Sequence, residues 1–421
     1  MAGGYSMEVP FHRPSITEAE IEEVVACLRS GWLTTGPRVR RFEEAFAQAV
    51  GARWAVAVNS CTAALHLAVE ALGLRADQVV LVPTLTFAAT AEVVRYLGAW
   101  PLLVDCDHST LNMDLNDAED KIRQLRQGRL PLDRRAEVVG IIPVHVAGLM
   151  MDMDDVAEFA RRHGLWIVED AAHAFPAAYW SKHTQSWRKA GEKTAAVTCF
   201  SFYANKTITT GEGGMAVTDD AQLAARIRQM SLHGLSHDAW SRYQAGGSWD
   251  YQILSPGYKY NLPDLAAALG IHQLARAEEL RQKRETLARG YLESLSDASF
   301  VELPPNPSDR VHAWHLFVIR IRSLTGQNIR DELIRKLREA GIGCSVHWRP
   351  LHLHPYYRDI LGWSSDLFPV ATTIWQQLLS LPLFPDMTIE EQQYVVKTLK
   401  AVLNQSVSVR KAAWCFSCLS I

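Results

Sequence analysis

The stretch Cys199-Phe-Ser-Phe-Tyr-Ala-Asn-Lys206-Thr-Ile-Thr-Thr-Gly-Glu-Gly-Gly214 decides how this chain is read. A strand-like apolar run delivers one lysine into a loop of small and hydroxyl residues. A tight glycine turn then leads into a second apolar run. Most lysines are solvated surface charges, but one that directly follows a buried strand is placed for chemistry. Upstream, the apolar run Leu165-Trp-Ile-Val-Glu-Asp170 ends in an aspartate. A lysine and an acid presented this way suit pyridoxal phosphate (PLP). The amine forms a Schiff base with the aldehyde, and the carboxylate keeps the pyridine nitrogen protonated so that the ring accepts electrons.

Outward from this stretch, short apolar runs alternate with helical patterns. The runs are Ala55–Val58, Val79–Val82, Pro101–Val104, Val138–Ile142, Leu165–Val168 and Ala195–Phe200. The helical patterns fall at Val39–Val50, Thr62–Leu72, Thr86–Leu97, Met153–His163 and Ala221–Leu232. Such alternation predicts an α/β fold with a largely parallel sheet covered by helices on both faces. Ser15-Ile-Thr17, followed by Glu18, Glu20, Glu22 and Glu23, predicts a capped, acidic helix start that Gly31 ends. After Pro263 the pattern changes to a long helix from Asp264 to about Leu295. A strand at Trp314–Ile321, a helix at Arg330–Ala340 and a run at Ile342–His347 follow. The expected organisation is an N-terminal arm and helix (1–36), a large cofactor-binding domain (37–255), a small α+β C-terminal domain (256–404) and a flexible tail (405–421).

The bulk properties narrow the function classes. A chain of 421 residues exceeds one typical domain core. Its 48% hydrophobic and 21% charged residues describe a soluble globular protein. A net charge of -3 without a dense Lys/Arg tract argues against nucleic acid as a partner. No apolar run is long enough to span a bilayer, and the first residues carry no signal pattern, so a cytoplasmic protein is expected. The seven cysteines show no framework spacing and read as free thiols, and Cys415-x-x-Cys418 lacks a second ligand pair. His347, His352 and His354 match no standard ligand set and read as a surface or substrate-edge loop, so no metal is expected.

Several residues after predicted strands meet the rule that open α/β sheets bind ligands at strand carboxyl ends. Asp170 alone would suit a turn or cap. The following Ala171-Ala-His173 supplies room for a ring and a histidine to contact it. Ser60-Cys61-Thr62 precedes a helix, where free amides and hydroxyls can hold phosphate. An ordinary N-cap explains the same residues equally well. Ser201 offers a further phosphate hydroxyl beside Lys206. Phe87 could stack on the pyridine face, or lie in the core. Gly257-Tyr-Lys-Tyr-Asn261 is a polar, aromatic loop at the domain boundary.

On these residues the chain resembles the DegT-type nucleotide-sugar aminotransferases, a branch of the fold-type I PLP enzymes. The likeness runs from about Pro10 to Pro385. It is carried by Ser30-Gly-Trp-Leu-Thr-Thr-Gly-Pro37, Val58-Asn-Ser-Cys-Thr-Ala-Ala-Leu65, Pro83-Thr-Leu-Thr-Phe-Ala-Ala-Thr90, Pro143-Val-His-Val-Ala-Gly148, Glu169-Asp-Ala-Ala-His173 and Gly211-Glu-Gly-Gly214. Gly257-Tyr-Lys-Tyr-Asn-Leu262, His312-Ala-Trp-His-Leu-Phe317 and Leu381-Pro-Leu-Phe-Pro-Asp-Met387 are similar to the UDP-4-amino-4-deoxy-L-arabinose–oxoglutarate aminotransferases. The resemblance implies Lys206 as the Schiff-base lysine, Asp170 at the pyridine nitrogen, His173 near the ring and Phe87 stacked on it. It also implies Ser201, Cys61 and Thr62 near the phosphate, and Asn261 reaching the phosphate of the neighbouring subunit in a homodimer.

The expected reaction is transamination of a nucleotide-linked keto-sugar, with L-glutamate leaving as 2-oxoglutarate. The chain departs from the family pattern at Cys61, where Gly or Ala is usual, and at Thr207, where Asn is common. The stretch Trp180–Thr194 is also longer than usual. Rival readings are a PLP sugar dehydratase, in which histidine replaces the lysine, and a PLP-fold binding protein without turnover.

Overall fold

A computed structural model describes residues 7–236, 250–322 and 329–418, with side chains as far as residue 405. Its centre is a seven-stranded sheet in the order β1-β9-β8-β5-β4-β2-β3. The strands are β1 (Trp54–Val58), β2 (Gln78–Pro83), β3 (Trp100–Val104), β4 (Glu137–Ile141), β5 (Trp166–Asp170), β8 (Val197–Ser201) and β9 (Gly214–Thr218). All neighbouring pairs are parallel except those made by β9, which runs antiparallel to both β1 and β8. The carboxyl ends of the other six strands therefore share one edge, and β9 starts there. These strands are near-continuous runs of buried Val, Leu, Ile and Ala, the pattern of a sheet covered on both faces.

The predicted helices are present with small shifts. α1 spans Glu18–Ser30, with Thr17 and Glu20 forming a reciprocal capping box and Gly31 left-handed at its end. α2 (Pro37–Val50), α3 (Cys61–Ala71), α4 (Ala89–Tyr96), α5 (Leu115–Arg126), α6 (Met153–His163) and α7 (Ala221–Ser231) follow. The expected single helix from Asp264 is two, α8 (Asp264–Ala275) and α9 (Ala277–Leu295). The break is Arg276, with φ -102 and ψ 5. Its guanidinium reaches back to Glu20 and Ser15 beside α1. α8 packs between α1 and α2, whereas α9 turns to a separate apolar cluster built from the C-terminal part.

That cluster holds a three-stranded sheet of β10 (Val301–Glu302), β12 (Phe317–Ile321) and β13 (Leu378–Leu381), together with α10 (Arg330–Glu339). Val9 of the N-terminal arm belongs to it and pairs with Ile342. The run at 342–347 makes only isolated bridges, from Ile342 to Val9 and from Ser345 to Ser380. The longer stretch Trp180–Thr194 contains a hairpin of β6 (Ala178–Ser181) and β7 (Ser186–Lys189), which is extended by β11 (Arg310–Val311).

α11 (Pro369–Ile374) is short, and α12 runs from Ile389 to Cys418. The loosely ordered tail expected from 405 is thus helical as far as Cys418. Its sequence contains no Gly or Pro that would stop the helix.

Close packing at the sheet edge constrains Gly214. A Cβ there would lie 2.4 Å from the Ser60 carbonyl carbon and 2.5 Å from the Cys61 nitrogen. Both are backbone atoms and cannot swing away. Gly214→Ala is therefore expected to cost about 2–3 kcal/mol by forcing β9 and α3 apart. A chemical-denaturation midpoint equal to that of the unaltered chain would contradict this.

Candidate active site

A cavity of about 460 Å³ lies at the shared strand edge, a size suited to a cofactor-scale ligand. Ser60, Cys61 and Thr62 enter it from the start of α3, and Asp170 from the end of β5. His173 follows in the next turn, and Ser201 comes from the end of β8. Phe87 and Lys206 enter from loops. The structure thus brings together every predicted site residue except Asn261. Asn261 donates to the Thr35 hydroxyl at 2.8 Å, accepts from Lys259 and does not line its own chain's cavity.

Lys206 sits in a loop pinned at its base. Phe202 donates its amide to Gly213 O and accepts at its carbonyl from Thr210 N. The Lys206 amide closes a turn onto Tyr203 O. Its Nζ lies 3.4 Å from His315 Nε2. Burial lowers the ammonium's pKa to about 8, against the opposing pull of Cys61 and Asp170.

Asp170 is held from two sides. The Thr90 hydroxyl donates to Oδ2 at 2.8 Å, and the Ala172 amide donates to Oδ1 at 3.1 Å. Burial raises its pKa, with those hydrogen bonds and Lys206 opposing the rise. Its neighbour Glu169 has a structural role. It is fully buried, accepts from Thr198 at 2.8 Å and from Thr194, and pairs with His145 Nε2 at 2.7 Å. His145 Nδ1 accepts the Met151 amide, so Nε2 carries the proton.

At α3 the Ser60 hydroxyl caps the helix by accepting the Ala63 amide at 3.1 Å. The N-cap reading is therefore correct for Ser60. That cap leaves other first-turn amides of α3 at the cavity, because the first amides of a helix have no intrahelical partner. The Cys61 thiol is buried and its pKa is raised by desolvation and by the adjacent Asp170 and Cys199, so it is a neutral thiol in the cavity wall. Phe87 is not in the core. It is 63% exposed, in the loop that precedes α4.

His315, His347 and Trp348 also line the cavity, and none of them was assigned a cofactor role from the sequence. His173 stacks on Trp348 with centroids 5.0 Å apart and lies 4.2 Å from the His315 ring. His315 arrives because Trp314 has φ 48 and the loop before β12 hydrogen-bonds to Gly148 and Ala147. That loop replaces the first residues of the predicted strand 314–321. His347 Nδ1 is 2.7 Å from Ser380 Oγ. Of the histidines expected in a surface or substrate-edge loop, His347 stands at the cavity as the second alternative expects, whereas His352 is a correction. His347 lines the cavity, and His352 is fully buried between Thr84 and Thr372. Among the described residues no group of three or more His, Cys, Asp or Glu is arranged to hold a metal.

Burial keeps these histidines neutral. The pKa values of His173 and His315 are driven well below the usual range, with Lys206 adding to the effect. His347 falls to about 4 and His312 to about 3. An unfolded histidine titrates near 6.5. Between about 6.5 and 4 the unfolded chain therefore binds protons that the folded chain refuses, so stability is lost as pH falls through that window. Thermal melts are expected to show a steep drop in Tm from pH 6.5 to 4, and a flat profile would refute it.

The residues present fit PLP. A helix start faces the cavity for a phosphate, a buried carboxylate suits a pyridinium, and an amine is available for the aldehyde. The buried His173 Nδ1 has no protein partner and is free for a ligand atom. Fold and site together define a PLP-dependent aminotransferase. The chain belongs to the DegT/DnrJ/EryC1/StrS aminotransferase family, whose sequence pattern matches residues 14–400.

Among curated proteins it is 41% identical over 397 residues to the spore coat polysaccharide biosynthesis protein SpsC of Bacillus subtilis, covering 94% of this chain and 97% of SpsC. It is 40% identical over 398 residues to the uncharacterized protein MJ1066 of Methanocaldococcus jannaschii, covering 94% and 98%. Among solved structures it is similar to the putative sugar aminotransferase Spr1654 of Streptococcus pneumoniae. The PMP form gives a TM-score of 0.84 at 31% identity over 94% of this chain and 100% of that one. The PLP form gives 0.83 at 30% identity over 95% and 99%. The chain is a sugar aminotransferase with PLP as its cofactor. No described helix is long and apolar enough to cross a membrane.

Proposed function

We propose that this chain aminates a nucleotide-linked keto-sugar, in the first instance a UDP-linked 4-keto sugar, with L-glutamate as amino donor. The product is an amino sugar for a cell-surface polysaccharide or lipid A. The observation that carries the reading is the meeting of Lys206, Asp170, His173 and the start of α3 in one cavity. The surface-polysaccharide product is supported by the likeness to SpsC.

PLP supplies an electrophilic aldehyde and a ring that accepts an electron pair. The chain's residues position that chemistry and move protons. The Cys61 and Thr62 amides and the Ser201 hydroxyl hold the phosphate at the positive end of α3. Asp170 keeps the pyridine nitrogen protonated. Phe87 would stack on the ring and His173 would contact it. Lys206 takes the proton from Cα of the amino donor and delivers it in the reverse sense to the sugar carbon. A lysine pKa of about 8 leaves a useful fraction of neutral amine near physiological pH.

Asn261, turned away from its own cavity, serves the neighbouring subunit's phosphate in a homodimer. The described cysteines are unpaired, in keeping with a reducing, cytoplasmic compartment.

The test is optical. The purified protein should be yellow, lose its colour with L-glutamate, and regain it with one member of a panel of UDP-, GDP- and dTDP-linked keto-sugars. Colour loss with glutamate but no recovery with any keto-sugar would sink the substrate assignment.

A further inference from the structure

A much smaller void of about 10 Å³ shares Asn205 and His315 with the active-site cavity. Its polar wall is His12, Asn205 and His315, and its apolar wall includes Phe11, Leu381 and Leu383. The three polar side chains of this wall, and Arg284 packed behind it, each keep a buried polar atom with no protein partner. They are His12 Nδ1, Asn205 Oδ1, His315 Nδ1, and both Nε and Nη2 of Arg284. Arg284 is fully buried against this wall, with Nη1 donating to His315 O at 3.2 Å and Leu383 O at 2.9 Å. Buried polar atoms left unpaired are rare in proteins, and a void of this size holds about one water.

The protonation states follow from the partners. His12 Nε2 lies 2.7 Å from the Ala204 carbonyl, which can only accept, so Nε2 carries the hydrogen. Burial and Arg284 lower the His12 pKa to about 4, leaving Nδ1 as a bare acceptor at neutral pH. Asn205 Oδ1 is a second acceptor, and Arg284 can only donate.

We propose that this void binds one structural water that donates to His12 Nδ1 and Asn205 Oδ1 and accepts from His315 Nδ1–H. Both hydrogens of the water are then used, so His315 Nδ1 has to donate to it. The arrangement fixes His315 as the Nδ1–H tautomer. Its Nε2 lone pair faces Lys206 Nζ, 3.4 Å away, and orients the amine whenever Lys206 is detached from the cofactor. His315 is thereby a positioning residue for Lys206. The N-terminal arm, through His12, is part of the active site's support. This inference rests on the reading of Lys206 as the group that moves the proton.

A high-resolution crystal structure of the holoenzyme is expected to show a water within roughly 2.6–3.2 Å of His12 Nδ1, Asn205 Oδ1 and His315 Nδ1. His12→Phe and Asn205→Leu, which each remove one acceptor, are expected to slow the glutamate half-reaction about tenfold in single turnover. The KM for glutamate should stay unchanged, and the acid limb of the pH profile should move. Absence of the water in the holoenzyme, or two folded variants with unaltered rate and pH profile, overturns the inference. If the variants fail to fold, the holoenzyme map alone decides. An inactive Lys206→Ala beside a fully active His12→Phe would remove this inference and leave the proposed function standing. A fully active Lys206→Ala would remove both.

Discussion

Replacing Lys206 with alanine is expected to lower turnover by at least about 10⁴-fold, the upper range for loss of a general acid–base group. Lys206 is the one amine among the described residues that line the cavity, and no arginine lines it. The neighbouring histidines are poor substitutes, because burial holds His173 and His315 far below the pKa a base would need near neutrality. The fold should survive, since the Lys206 amine's hydrogen bond is to His315 and the loop is pinned through backbone groups. Borohydride reduction should attach the cofactor covalently to the unaltered chain and not to the variant. In the unaltered chain the lysine-dependent step should accelerate as pH rises through about 8, because only the neutral amine takes a proton. A Lys206→Ala chain that turns over at the normal rate would end the mechanism given above.

Asp170→Asn is expected to reduce kcat by about 10²–10³-fold, the scale seen when one preorganised electrostatic partner is removed. Asparagine matches aspartate in shape, and the Thr90 hydroxyl and Ala172 amide can still donate to its carbonyl oxygen. It carries no charge, so nothing remains to keep a pyridine nitrogen protonated. The aspartate's desolvation, which raises its pKa, is offset once a cation lies against it. PLP affinity should therefore fall along with kcat, while the melting temperature of the cofactor-free protein changes little. Normal kcat in this variant would show that Asp170 does not act on the ring.

The residues at strand carboxyl ends were legible because their signal is local. A buried run followed at once by Asp170, by Ser60-Cys61-Thr62 or by the Lys206 loop can be read along the chain. The parallel order of the sheet then brings them to one edge. Thr90 was harder to see. It lies in a quoted motif, but its role requires α4 to begin at Ala89 and its hydroxyl to meet a strand remote in sequence. Phe87 allowed two readings from sequence, and only its exposure at the cavity separates them.

His315, His347 and Trp348 had no such signal. His315 lies in a stretch that reads as an ordinary strand, and His347 precedes a proline in a stretch that reads as a surface or substrate-edge loop. They enter the cavity because the C-terminal part folds back over the strand edge. The kink at Trp314 depends on carbonyls at Ala147 and Gly148, which no local window contains.

By itself the sequence determined the α/β scaffold, the lysine and its acid, and the kinship with PLP-dependent sugar aminotransferases. Hydrophobic period and strand-end chemistry act over a few residues and survive in the linear order. Only the tertiary structure decided which side chains surround Lys206, which histidines stay neutral, and that the N-terminal arm reaches the C-terminal core and the lysine loop. Those outcomes depend on desolvation and on hydrogen bonds between residues far apart in the chain, and burial exists only once the chain has closed on itself.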